Sequence, residues 1–358
     1  EIPEGVWRIG PCAFTFCESI TRLDVPDAVT EVGSSCFEYM SSLRELHLGN
    51  GIRVLPRHAL LCDDALTDLY LGKAFRVYEN NFRFSDLPRL QAFHVDADNL
   101  KYSSADGVLY SRDGSVLYAF PGSKEMTSYT LPASVEEIEA YAFANNSKLE
   151  SVTIPGTVRL VGNNAFYYAS ALSSVVLEEG VESIGSDCFS FTSNIREIRL
   201  PASLTQIGGG AFSYCLALET ISVDESNPCF TISGRALYSK DLRRFFCLPH
   251  VYALTLTEFD FHPECLVVEP GSLDGLQNIR SLSFMGRIRN IGDGAASGCF
   301  RLEKVTLGPT VTHIGAGAFV THALKEVECV APMLEDVDDT AFQNGTLAEE
   351  GTLYVPEG

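Results

Sequence analysis

A 23-residue period runs through this chain. From Val158, Val161, Gly162, Ala165 and Phe166, one step of 23 reaches Val181, Ile184, Gly185, Cys188 and Phe189. A second step reaches Leu204, Ile207, Gly208, Ala211 and Phe212. A repeat this short has no core of its own, so it must be one coil of a solenoid that buries its apolar side on its neighbours. The aromatic slot falls at Phe14, Phe37 and Leu60, then one residue early at Phe82. It resumes at Phe143, Phe166, Phe189 and Phe212, and returns at Leu273, Ala296, Phe319 and Phe342. These anchors define twelve coils in three sets of four. Stacked at a strand spacing of ~4.8 Å, they predict a rod or arc about 58 Å long.

Each coil reads as a short strand followed by a tight return. In Leu149-Glu150-Ser151-Val152-Thr153-Ile154, Val152 and Ile154 point one way and Thr153 the other. Proline then closes several strands (Pro26, Pro155, Pro201), where no ladder donor is needed. Two apolar residues three apart, such as Val158 and Val161, turn the chain over the core. The glycine that follows, at 10, 33, 162, 185, 208, 292 and 315, suggests a turn needing positive φ. The Ala-Phe pair then drives a ring inward on a short turn or 3₁₀ segment.

Two gaps interrupt the period, and they match each other. Val95 and Val223, Leu109 and Leu237, Tyr110 and Tyr238, and Pro121 and Pro249 are each 128 residues apart. Apolar alternation across Asp113-Gly114 reads as a β-hairpin. The expected fold is thus a β-rich solenoid: a parallel sheet of 23-residue coils, short turns or 3₁₀ segments, and two β-hairpin inserts. Coils are expected over 1–94, 129–222 and 254–358, with inserts over 95–128 and 223–253, in one continuous solenoid built by duplication of a block.

The pattern L-x-x-[IV]-x-[IVL]-P-x-x-V-x-x-I-G-x-x-A-F-x-x-C, as in Leu149 to Ala169 and Ile195 to Cys215, resembles the BspA-like leucine-rich repeat family, the Treponema pallidum class of these repeats. The Asp106-Gly107-Val108-Leu109-Tyr110 stretch is similar to an element common in that family. The resemblance covers nearly the whole chain. It implies a right-handed leucine-rich-repeat solenoid in a bacterial protein of the cell surface or the secreted fraction, with adhesion to host matrix proteins or other bacteria as the implied activity. Leu60, Leu273 and Ala296 depart from the pattern at the aromatic, and Pro56 and Asp338 at the glycine.

Charge narrows the partners. A net charge of −21 and a pI near 4.7 argue against a nucleic-acid backbone or an anionic membrane surface. No run of 18 apolar residues occurs, so no membrane-spanning helix is expected. The chain opens at Glu1 without a leader and both ends fall in mid-coil, which fits a removed signal peptide or a piece of a longer protein. The eleven cysteines include no C-x-x-C pair. Cys36 and Cys188 fill the alanine slot, while Cys17, Cys215 and Cys299 lie three residues after the aromatic slot. They read as small buried hydrophobes interchangeable with alanine.

Catalytic motifs are missing: the chain has no H-E-x-x-H, no P-loop and no G-x-S-x-G. Gly292-Asp293-Gly294-Ala295-Ala296-Ser297-Gly298 mimics a phosphate-cradling loop but sits in repeat register. Asp336-Val337-Asp338-Asp339 and Asp96-Ala97-Asp98-Asn99 hint at calcium but lack the glycine and distal glutamate of an EF-hand, and read as solvated turns. Asn145-Asn146-Ser147 and Asn344-Gly345-Thr346 match the glycosylation sequon. No cofactor or metal is expected.

The outward strand positions offer a ladder for binding. In the first set these are Asp24, His47, Tyr70 and His94, with Arg22, Glu45, Asp68 and Ala92 in the neighbouring column. The second set presents Thr153, Val176, Arg199 and Ser222, and the third Ser283, Thr306 and Glu328. Only the first is chemically distinctive: an aromatic between two histidines, with carboxylates beside it. Two histidines two rungs apart, about 9.6 Å, make a poor tetrahedral metal site, whose ligand nitrogens sit ~2 Å from zinc. A polar patch for a loop, or for a glycan stacking on Tyr70, fits better, against the plain reading as ordinary exposed strand residues. Three functions follow: a non-catalytic interaction module for a host matrix protein, a glycan or another surface protein; a spacer that displays another domain; and, least favoured, an enzyme with a dispersed site around His47, Tyr70 and Asp68.

Overall fold

The computed structural model describes residues 1–56, 58–78, 84–343 and 352–354. The Phe82 slot and the Asn344-Gly345-Thr346 sequon lie outside the described residues. The chain forms two compact units, Glu1–Ser151 with Ala165–Ala171, and Val152–Asn164 with Leu172–Gly358. Both are parallel-strand β-solenoids with almost no helix. Among the described residues helix is confined to one α turn, His250–Ala253, and one 3₁₀ turn, Phe84–Asp86.

In the first unit, the strands Arg22–Asp24, Glu45–His47, Asp68–Leu71 and Ala92–Val95 form a four-stranded parallel sheet. Its register aligns Leu23, Leu46, Leu69 and Phe93, all buried, and leaves the residues on either side facing outward. In the second unit, the strands Glu258–Asp260, Ser281–Phe284, Lys304–Leu307, Glu326–Cys329 and Thr352–Tyr354 repeat this arrangement. Both units carry the expected aromatic row: the partly buried Phe14 stacks on the buried Phe37 with ring centroids 6.0 Å apart, and in the second unit the buried Phe189 and Phe212 stack at 5.9 Å.

The coils also carry a second strand of two residues, which alternation alone does not reveal. Arg8–Ile9 pairs with Glu31–Val32 in the first unit. In the second, Leu160–Val161, Ser183–Ile184 and Gln206–Ile207 pair in sequence. Of the two apolar residues read as turning the chain over the core, the second, such as Val161, sits in these short strands, and the first, such as Val158, precedes them.

Between the two ladders the turn has a hydrogen-bond ladder of its own. In the first coil, Cys12, Phe14 and Phe16 donate their amides to the carbonyls of Ser34, Cys36 and Glu38 in the next. Asp187, Phe189 and Phe191 do the same to Gly209, Ala211 and Ser213. The first and last residue of each triplet are left-handed: Cys12 and Phe16 at φ 57° and 63°, Asp187 and Phe191 at 52° and 62°. That conformation costs a non-glycine residue roughly 1–2 kcal/mol, and the inter-coil bonds that go with it give these amides a partner in the next coil.

This corrects the reading of the glycines. None of Gly33, Gly185, Gly208, Gly292 and Gly315 has a positive φ. Each is instead pressed against the preceding coil. A Cβ on Gly208 would lie 2.2 Å from Ser186 N, and one on Gly33 2.3 Å from Pro11 N. Glycine is required here for close approach of backbone to backbone, and the left-handed residues come two positions later.

The inserts are three-stranded meanders. The expected hairpin across Asp113-Gly114 joins Val108–Ser111 to Val116–Ala119, and a further hairpin joins Tyr102–Ala105 to Val108–Ser111 through Asp106 and Gly107, both left-handed. Phe230–Ser233, Ala236–Ser239 and Arg244–Cys247 repeat the motif. The last strand of each meander joins the short-strand ladder, Val116 beside Glu137 and Arg244 beside Val267. A buried asparagine fixes each departure point. Asn99 donates to Gly72 O and Phe75 O and accepts from the Lys101 and Tyr102 amides. Asn227 makes the corresponding four bonds to Pro201, Leu204, Cys229 and Phe230. Asn99 is therefore a structural staple and not part of a solvated turn.

The slot three residues after the aromatic also proves more specific than alanine-like packing. The Cys215 and Cys299 thiols donate to Phe189 O and Leu273 O at 3.1 and 3.2 Å, as does the Thr192 hydroxyl to Phe189 O at 2.5 Å. Asp63 takes this slot in the first unit, fully buried. Its Oδ1 accepts the Met40 amide at 2.8 Å, but Oδ2 has no partner. Burial pushes its carboxyl up to about 7.

Two expectations follow. Gly208→Ala destabilises the fold by about 3 kcal/mol or more in urea unfolding, because backbone blocks the new methyl. Gly10→Ala, where nothing lies within 4 Å, is near neutral; equal losses at both sites would refute the close-approach account. Because the Asp63 carboxyl titrates higher folded than unfolded, its stabilising contribution is complete below pH ~4 and lost as pH rises through ~7. Asp63→Asn, which keeps the acceptor and adds a donor, is thus more stable than the parent at pH 8 by on the order of 2 kcal/mol, with the gain shrinking towards pH 5. A gain independent of pH would contradict this assignment.

Candidate functional site

The parallel register of the first unit places Asp24, His47, Tyr70 and His94 in one outward column, and Arg22, Glu45, Asp68 and Ala92 in the next. All seven candidate residues are thus brought onto one sheet face. The three rings form a continuous stack. His47 and Tyr70 lie 3.7 Å apart between centroids with planes 11° apart, and Tyr70 and His94 4.1 Å and 14°. Parallel strands bring equivalent side chains together on every rung at about 4.8 Å, a spacing at which planar rings stack face to face.

Charged groups frame the stack. Arg22 binds Asp24 through two nitrogens, at 3.0 and 2.9 Å, and Glu45 through a third at 3.1 Å. His94 Nε2 lies 2.8 Å from Asp68 Oδ1, and the Thr67 hydroxyl donates to the other Asp68 oxygen at 2.8 Å. His47 stands between two carboxylates, Nδ1 3.6 Å from Asp24 and Nε2 3.5 Å from Glu45. Neither approach is a hydrogen bond, and Nε2 is closed to solvent with no partner. The Arg22 hydrogen bonds hold the Asp24 carboxyl below its usual range. Desolvation, then the charges of Asp68 and Glu45, push the Tyr70 phenol above its own.

The stack closes one chemistry and leaves another. Both faces of Tyr70 are covered by imidazoles, so a sugar ring has no face of Tyr70 to stack on. The ring edge and the carboxylates beside it remain. A shallow groove runs along the stack, lined on its far side by Asp27, Asn50 and Asp96. Asn50 donates to both Asp27 oxygens and accepts the Lys73 amide. Asp27, Asn50 and Lys73 are 23 residues apart, so the repeat spacing alone identifies this second polar row.

The other motifs are absorbed by the fold. Gly294 and Gly298 donate their amides to Ala316 O and Val320 O, so neither glycine amide is free to cradle a phosphate. Asp338 accepts from the Thr340 hydroxyl and amide, and Asp96 from the Asp98 amide. Among the described residues no three His, Cys, Asp or Glu side chains form a metal-binding group. No described helix is long and apolar enough to cross a membrane. On the outward face of the second unit, Arg199 is held by Asp224 at 2.9 Å and Arg196 by Glu219 at 2.8 Å.

Comparison with known proteins agrees with this architecture. No curated protein matches the chain by sequence. It is similar in structure to a leucine-rich repeat protein from Eubacterium ventriosum, 18% identical, with 99% of this chain and 82% of that one covered at a TM-score of 0.50. It is also similar to a leucine rich cell surface protein from Faecalibacterium prausnitzii, 19% identical, covering 95% and 87% of the two chains at 0.46. The model of the BspA type leucine rich repeat region matches in six copies across residues 1–104, 117–242 and 251–350. Because that match covers most of the chain, including nearly all of its coils, this chain belongs to the BspA-type leucine-rich repeat family.

Proposed function

We propose that the chain is a non-catalytic interaction module, displayed on the cell surface or secreted, that docks a partner protein along the outward sheet face of its first four coils. The observation that carries this reading is the His47–Tyr70–His94 stack set among Asp24, Glu45 and Asp68 on an open sheet. An extended strand face is the surface that solenoids use for recognition, and rigid aromatic anchors ringed by polar groups suit a protein contact. Family membership favours display outside the cell and a role without catalysis. A protein segment is preferred to a glycan because the Tyr70 faces are occupied, leaving edges and charges to be read. A host matrix protein or another surface protein is the partner class in view, and the acidic surface disfavours nucleic acid.

The test is a binding screen of the purified chain against immobilised matrix proteins, bacterial surface proteins and mucin-type glycans at physiological salt. His47→Ala/Tyr70→Ala/His94→Ala serves as the paired variant. Saturable binding to a protein is expected, weakened at least about tenfold in the triple variant, whose thermal unfolding stays close to that of the parent. Binding untouched by the substitutions would remove the site from this face. A folded chain that binds nothing would instead favour a spacer that displays another domain.

A further inference from the structure

The carboxylates of the ladder face have two possible claimants, one from outside and one built in. Asp24, Glu45 and Asp68 carry three negative charges, of which Arg22 balances one. The remainder is open to a cationic group from a partner. His47 and His94 stand beside the same three carboxylates: His47 has Asp24 at 3.6 Å from one nitrogen and Glu45 at 3.5 Å from the other, and His94 has Asp68 at 2.8 Å. The sealed His47 Nε2 has no partner in the chain. A proton there would complete an ion pair with Glu45.

We infer that the face receives a Lys- or Arg-bearing peptide segment at neutral pH and releases it on acidification, with His47 and His94 acting as internal competitors for its carboxylates. This rests on the ladder being the docking face. Histidine is the side chain whose charge ordinarily changes between pH 5 and 8. When both imidazoles charge, Asp24 and Glu45 gain a second cation and Asp68 a full counter-ion, so that the three ladder carboxylates are balanced by three cations. The two imidazoliums also lie over the two faces of Tyr70, where the ring quadrupole favours them, so the acid form is held by the stack itself.

The other charged groups around the stack do not reverse this. The strand of His47 contributes Glu45, the strands on either side contribute Arg22, Asp24 and Asp68, and Tyr70 stays neutral. The hairpin that meets the His94 strand, through Phe93 N–H to Gly107 O, brings Asp106, which is paired with Lys124. Asp96 follows that strand and adds a further negative charge to the groove.

The probe is a fluorescein-labelled oligolysine peptide, followed by fluorescence anisotropy at fixed ionic strength. Affinity for the parent chain is expected to fall about tenfold from pH 7.5 to pH 5.5, as two exposed ion-pair partners are taken up internally. His47→Gln/His94→Gln should bind equally at both values. Asp24→Asn/Asp68→Asn, which alters only two of the chain's charges, should lose most of its affinity at pH 7.5. Failure of the parent to bind the peptide at pH 7.5 would overturn the cationic partner, as would undiminished binding by the aspartate variant, which would mark diffuse attraction to an acidic chain. A pH response that persists in the histidine variant would overturn the gate. Where a matrix or surface protein still binds in a triple-variant-sensitive way, the docking face stands and only this inference falls.

Discussion

Inter-coil hydrogen bonding is the interaction on which everything else in this chain depends. A 23-residue coil cannot bury its apolar residues alone, and it cannot satisfy its own backbone either. The long strand, the short strand and the turn each pass their amides to the neighbouring coil. The glycine at the corner lets the backbones come close enough for those bonds to form, and left-handed residues such as Phe16 and Phe191 turn the amides to face the next coil. Side-chain packing follows from this spacing. Rings at equivalent positions must stack, inside as Phe14 on Phe37 and outside as His47 on Tyr70.

Much of this was legible in the residues, because periodicity reports burial directly. The aromatic slot, the strand alternation and the Asp113-Gly114 hairpin all rest on patterns with one structural solution. The glycines misled because their absence of a side chain serves two purposes, positive φ and close approach, and spacing does not separate them. The two-residue strands left no alternation to detect. The left-handed positions escaped because cysteine, phenylalanine and aspartate occupy them, none of which advertises that conformation. Asn99 resembled a loop residue until its four backbone bonds were seen.

The candidate face was legible for the same reason as the core. Parallel pairing at fixed register carries equivalent positions into one column, so His47, Tyr70 and His94 had to meet. Their ring geometry was not legible, and it matters more than their proximity. Face-to-face stacking removes the surface that a sugar would use and places both imidazoles within reach of carboxylates. The polar row of Asp27, Asn50 and Lys73 was present in the spacing as well, but it lies past the strand, where alternation gives no guide to direction.

The buried asparagines bear on how such a protein grows. Asn99 and Asn227 each settle, with four hydrogen bonds, where the chain leaves the coil stack for a meander, and the meander's last strand returns it to the short-strand ladder. A block of coils plus meander therefore carries its own splice at both ends. Length can change by whole cassettes without redesign of any junction, and a lineage can add reach while the chemistry displayed on one set of coils stays untouched.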